Sequence, residues 1–433
     1  MFLVGLCVMC LRVSPGQTRE AEVTVTFTAD RTEVNRRDSL FVKRYVGNVV
    51  ARVNPEVWLT ANEATYNGID HETVLTGTRT AQVTIVDSGR TLRADRITYL
   101  FKEHQQAGGR PLVWLRGRVR LEDSSRALDA AVVAYRPEAD SITAYGRVRA
   151  RQAHGFLLAD TLLFDAKNRG MMAAGNVRIV DSTEDMSIRA GWYRYEGRDS
   201  FAVVAREPML TKGQGDTAVT VFADSMRLER DRRRAVAWGN VRIERGALKA
   251  ECDSVAYDER AEQLVLYGTP QATQRTESDS TATVSTLYGD EIMLFLDGTN
   301  VRRIEVERSA RGVATEVDST GGPLGEQWIV GRKIVFHIDG ERVTEVEVFG
   351  QARSRYVPTV AQRQAEGINE ASGDTIRISF SGSRMKKVVL LGGVQGVYWP
   401  PSDSTRTAGT EGPGPRAGES GQRQRSQGES GGT

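Results

Sequence analysis

The chain has 433 residues, 39% hydrophobic and 26% charged, so most of it has the apolar content to fold. Its 58 basic and 56 acidic residues leave a net charge of +2, which makes no electrostatic case for a nucleic-acid partner. Abundant Gly (43) with scarce His (4) suits many strands and tight turns rather than metal chemistry.

Residues 1–11 (MFLVGLCVMCL) are almost wholly apolar. The run is too short to cross a bilayer as a helix, which takes roughly 20 residues. It fits the apolar core of a secretory signal at 1–16, with small Ser14 and Gly16 before a cleavage point. No Lys or Arg precedes it, so Met1 need not be the native start. A buried N-terminal strand is the alternative. Cys7 and Cys10 would leave with the leader, and Cys252 then has no partner for an internal disulfide.

Beyond the leader the chain repeats itself. One unit reads LRADRITYLFKEHQ from Leu92 and VWLRGRVRLED from Val113. Another is LLADTLLFDAKNRGMMAAGNVRIVDS from Leu157, and a third is VFADSMRLERDRRRAVAWGNVRIERG from Val221. Weaker copies start near Ala29, Ala61, Ala130, Ala190, Cys252, Gly289, Gly331 and Gly373. This gives about eleven units at spacings of roughly 29 to 42 residues, in the range of stacked arrays. The extra length of the last three is expected in polar loops at 317–325 and 359–373.

Inside each unit the apolar period is two, which means strand. Nine consecutive units place a large apolar pair on one face: Ile97/Tyr99, Val133/Tyr135, Leu162/Phe164, Tyr193/Tyr195, Met226/Leu228, Val255/Tyr257, Ile292/Leu294, Ile334/Phe336 and Ile376/Ile378. A second strand adds Val119/Leu121, Val148/Ala150, Val177/Ile179 and Val241/Ile243, with Arg120, Arg149, Arg178 and Arg242 alternating outward. A one-residue slip would turn each column to water, so the columns demand in-register stacking.

One unit of two or three short strands cannot bury its apolar face alone, so neighbours must cover it. The fold class is therefore all-β: an elongated open β-jelly roll, or a β-solenoid-like stack, of about eleven repeats over 20–400. Paired strands around a polar turn favour the jelly roll over a β-helix. At about 4.8 Å per strand step the array would reach on the order of 50 to 100 Å. Residues 401–433 (Gly, Ser, Arg, Gln, Glu) read as a disordered tail.

The motifs Ala94-Asp95, Ala159-Asp160 and Ala223-Asp224, with Gly175-Asn176-Val177 and Gly239-Asn240-Val241, resemble the OstA-like family. This is the organic solvent tolerance N-terminal domain shared by periplasmic bridge proteins of lipopolysaccharide transport. The likeness runs from about Phe27 to Trp399. It implies a twisted open jelly roll with an apolar groove for lipid A acyl chains, lined by the column residues from Ile97/Tyr99 to Ile292/Leu294. It also implies lipopolysaccharide as partner, docking on other transport proteins by end-to-end strand addition, homo-oligomers, and a periplasmic location with outer-membrane association. Later units depart from the pattern, carrying Gly-Asp or Gly331-Arg332 in place of Ala-Asp. Without the resemblance, the same columns read as plain core.

No enzyme chemistry emerges. His71, His104, His154 and His337 fall in separate units, and no HExxH, CxxC or Gly-rich phosphate loop is present, so neither cofactor nor metal is expected. The recurring Asp30, Asp95, Asp160, Asp224, Asp253, Asp290 and Asp374 lie next to strand starts and read as Asx turns bonded to backbone rather than calcium ligands. The outward arginines, Arg353 included, read as a solvated face before they read as phosphate ligands. The alternatives are a structural or adhesive secreted β-solenoid without lipid cargo and, behind it, a carbohydrate-active β-helix enzyme.

Overall fold

The computed structural model describes residues 25–401, apart from 38–39, 54–56, 69–71, 88, 101–112, 137–140, 166, 278–280, 299, 341, 360 and 382–383. The expected leader and all but the first residue of the expected tail lie outside the described residues.

Two neighbouring strands show the plan. Gly155–Asp165 and Gly170–Asp181 pair antiparallel in two stretches, 155–158 with 178–181 and 161–165 with 170–174, and the register slips between them. At the slip each strand bends and passes from one layer to the other. Layer A holds the 155–159 side and layer B the 161–165 side. Among the described residues thirty strands make 22 such rungs, because eight rungs are broken in two at the bend. Each rung pairs antiparallel with the next, so the array is a meander folded lengthwise, not a β-helix. At about 4.8 Å per step, 22 rungs extend about 100 Å.

The eleven sequence units are pairs of rungs. The alanine of each Ala-Asp motif in the three clear units (Ala94, Ala159 and Ala223) and the start of each weaker copy (Ala29, Ala61, Ala130, Ala190, Cys252, Gly289, Gly331 and Gly373) stand just before a bend. The returning rungs bend differently. Ten of them carry two consecutive positive φ angles, as at Gly175 (74°) and Asn176 (47°), and the other turns through 77–82. Such a left-handed step is cheap for Gly and tolerable for Asn, which is why Gly-Asn recurs there. Gly is needed for a second reason: a Cβ on Gly175 or Gly239 would collide with the carboxylate of Asp160 or Asp224 on the preceding rung.

Two expectations need correction. The recurrent aspartates sit at bends, and four of their carboxylates accept hydrogen bonds from side chains on the next rung. Asn48 donates to Asp30 at 2.9 Å, Asn176 to Asp160 at 2.8 Å, Asn240 to Asp224 at 3.0 Å and Arg118 to Asp95 at 2.6 Å. Asx turns occur instead in the connections between rungs, at Asp123, Asp165, Asp181, Asp258 and Asp318. The extra length of the last units is also mostly strand. Asn300–Val317, Pro323–Asp339 and Arg342–Val357 run 18, 17 and 16 residues, and 368–373 belongs to Ile368–Ser381. Among the described residues of the two expected loops, only 318–322, 359 and 361–367, the last with a short 3-10 turn at Gln362–Gln364, are not strand, because longer ladders satisfy more backbone polar groups than loops do.

Candidate lipid-binding site

The inner faces of the two layers bury one another in a single apolar cluster running from Val49 to Ile376. Strand pairing makes its rows explicit. Beside the bend in layer B, cross-strand partners follow unbroken as Ile97, Leu115, Val133, Ala144, Leu162, Ala173, Tyr193, Val204, Met226, Ala237, Val255, Leu266 and Ile292. None exceeds 7% exposure, and Leu162 and Ile292 stand at 1% and 0%. Layer A contributes buried Val119, Leu121, Val177, Ile179, Val241 and Ile243.

The row farther from the bend in layer B forms one lip of the interior. Tyr135 and Phe164 are buried there, whereas Tyr195, Leu228, Tyr257 and Leu294 are only partly covered. Their neighbours explain the change. Tyr135 and Phe164 flank large Ile142, while Tyr195, Leu228 and Tyr257 alternate with small Ala202 and Ala235. Burial raises the hydroxyl pKa of Tyr195 and of Tyr257, with nearby acidic groups adding to it. The lip of layer A behaves alike: Leu157 and Ile188 are buried, but Leu210, Val221, Leu287 and Ile329 are half-buried. The layer B lip is therefore closed at Tyr135 and Phe164 and looser from about Tyr195 onward, as it is in the first rungs, where Tyr66 of the same row is 37% exposed. Tyr99 pairs with Val113 in this row, but its side chain is outside the described residues.

All the other expected lining residues face this one interior. The expectation held half of it, naming the layer B half of the outgoing rungs and the layer A half of the returning ones. Missing were the complements, such as Leu157/Ala159 and Met171/Ala173, whose period-two signal was present but diluted by alanine. Cys252 takes the place of such an alanine, and burial pushes its thiol up to about 11.

The outer faces are ion-paired. Lys333 bridges Glu305 and Glu307 at 2.7 and 2.9 Å, and Arg377 meets Glu347 at 2.6 Å. Burial works to raise the Glu347 carboxyl, but hydrogen bonds from Arg377 and His337 outweigh it and hold it below the ordinary range. Arg149, Arg178, Arg242 and Arg353 are exposed, and Arg120 is tied to Glu122 at 2.7 Å. His154 lies in a turn and His337 in the strand Pro323–Asp339, while His71 and His104 lie outside the described residues. Two cavities of about 300 and 490 Å³ lie outside the interior, lined by polar turns around Arg232.

No protein-family model matches the sequence, and no curated protein matches it. Among solved structures, one match is LptH from Pseudomonas aeruginosa, described as the LptA-homologous periplasmic component of the conserved lipopolysaccharide transport device. It shares 21% identity at a TM-score of 0.24 over 30% of this chain and 82% of LptH. A likeness that low bears no weight on function.

Proposed function

We propose that the chain is a lipid carrier of the cell envelope, acting as a periplasmic bridge or adaptor that holds lipopolysaccharide acyl chains between its two layers and passes them towards the outer membrane. One observation supports this above the rest: the apolar interior is a single column through successive rungs, not a set of closed cores. An acyl chain laid along it exchanges water for side chains at about 0.8 kcal/mol per buried CH₂. The half-covered lip from Tyr195 to Leu294 is where the layers would part to admit it. The repeat motifs at the bends, which resemble the OstA-like pattern, point the same way, as does the absence of enzyme motifs.

The ends of the stack support the docking part of the reading. Among the described residues the last rung, Arg384–Leu391 with Gln395–Trp399, pairs on one side only and exposes Met385, Leu391, Val397 and Tyr398 at 57%, 52%, 52% and 60%. An apolar strand with a free edge is a template for strand addition. The first rung is different. Its half Arg31–Arg37 (RTEVNRR) is charged, as strands that resist edge pairing are, while its other half, Val25–Thr28 (VTFT), is not.

The test is photocrosslinking in a diderm host from Leu228, Leu294 and Phe336, with outward Arg242 and Arg353 as controls. Lipid adducts are expected from the three inner positions and not from the controls. Adducts from no inner position would favour the second reading, a secreted scaffold without cargo. That reading draws on the close packing at Leu115, Leu157 and Phe164.

A further inference from the structure

The outward face of layer B carries an arrangement that neither the fold nor the lipid reading uses. Trp238 pairs with Ser254, and Ser254 with Tyr267, so the two aromatics stand on one face with a serine between them. Two strand spacings set them about 10 Å apart. Both residues are 40% exposed, a level that Tyr145 and Tyr288 also reach in mid-array, but only Trp238 and Tyr267 stand two rungs apart with a serine between them. Each stands just before a left-handed bend, at Gly239 and Gly268, and between those bends lies Asp253. Most bend aspartates are held from the next rung, as Asp224 is by Asn240. Opposite Asp253 that position is Thr269, and no hydrogen bond from a side chain reaches its carboxylate among the described residues. On the outer face of layer A the same rungs carry Arg242, Glu244, Lys249 and Glu251, an ordinary solvated set.

Two exposed aromatic residues, a serine between them and a carboxylate that no side chain engages are complementary to one chemistry. A pyranose presents a flat C–H face, which stacks on an aromatic ring, and vicinal hydroxyls around its edge, which donate to a carboxylate. Acyl chains have no donors for Asp253. Nucleic acid would set phosphates against it. Val236, Ala256 and Val265 pair beside the rings on the same face, so a second copy of the chain is the occupant that the test below sets against a saccharide.

We propose that Trp238, Tyr267 and Asp253, over Ser254, form a saccharide-binding clamp on the outer face of layer B, one sugar ring lying on each aromatic. The site does not depend on the lipid reading, since it faces away from the interior.

Calorimetric titration of the full chain with maltohexaose, cellohexaose, chitohexaose and the saccharide of fully deacylated lipopolysaccharide tests it. At least one probe is expected to bind with a Kd of about 1 mM or tighter. Trp238→Ala and Tyr267→Ala should each weaken that binding about tenfold. Asp253→Asn, which keeps the shape, should weaken it without moving the unfolding midpoint. Failure of every probe to bind, or unchanged affinity in Trp238→Ala, overturns the proposal. So does loss of self-association in Trp238→Ala by sedimentation, which would make the occupant a second copy of the chain. Lipid crosslinking from Leu294 should survive in Trp238→Ala, which separates failure of this site from failure of the lipid reading.

Discussion

Asn176 donates its side-chain amide to the Asp160 carboxylate at 2.8 Å, from a backbone that is itself left-handed at φ 47°. The contact ties two successive rungs at the line where the array folds over. The same arrangement returns at Asn48 with Asp30 and at Asn240 with Asp224. The bend is therefore a repeated joint with a polar clasp on the outside and alanine, Val177 or Val241 on the inside.

The two halves of the joint should differ in cost. Gly175→Val places a β-branched residue at φ 74° and drives its Cβ into Asp160, and it should destabilise by about 2 kcal/mol or more. Asp160→Ala removes an exposed hydrogen bond and should cost only about 0.5–1 kcal/mol. Urea midpoints of the two variants give the order, and a larger loss from Asp160→Ala would contradict it.

Truncating the column should be felt locally and strongly. Leu162→Ala opens a void at a site 1% exposed and should cost about 3 kcal/mol. In an array, each rung pair depends chiefly on its neighbours. Hydrogen exchange should therefore quicken in the rungs either side of Gly155–Asp165 while rungs beyond Asn300 stay protected. Uniform loss of protection along the rod would count against the additive picture.

Acid should loosen the early rungs. The hydrogen bond from Arg118 holds the Asp95 carboxyl below its ordinary value, with Gln82 assisting and burial opposing. Arg120 does the same to Glu122. A carboxyl whose pKa is depressed by folding stabilises the protein above its unfolded pKa of about 4, and that contribution is lost as pH falls through the lower folded value. Stability should be level from about pH 7 to 5 and fall below about pH 4. In Asp95→Asn the fall should be shallower, and urea midpoints at three pH values read it.

Association should run through the apolar end. Val397→Lys puts charge on a rung whose outer edge has no partner among the described residues and should reduce concentration-dependent association in sedimentation velocity. Val34→Lys, on the already charged half of the first rung, should change it little. Equal effects from both would mean that the ends are not the contact.

Much of this was open to reading because stacking imposes a period-two constraint on every rung. Ile97, Leu162 and Ile292 had to face one way or the columns would not exist, so the all-β class, the eleven units and the inward set follow from spacing alone. The bend aspartates were visible as a motif, but their role was not. A carboxylate near a strand end reads as a local turn until the next rung, 16 residues later in the case of Asn176 and Asp160, is placed opposite it. The alanine half of the interior was obscured for a related reason: small side chains leave a faint hydrophobic signal and become core only when a large partner such as Leu162 or Tyr193 stands across the ladder from them. Whether the lips are closed at Phe164 or loosened at Tyr257 depends on which residue each strand meets across the ladder. That pairing is non-local, so only the tertiary structure decided it.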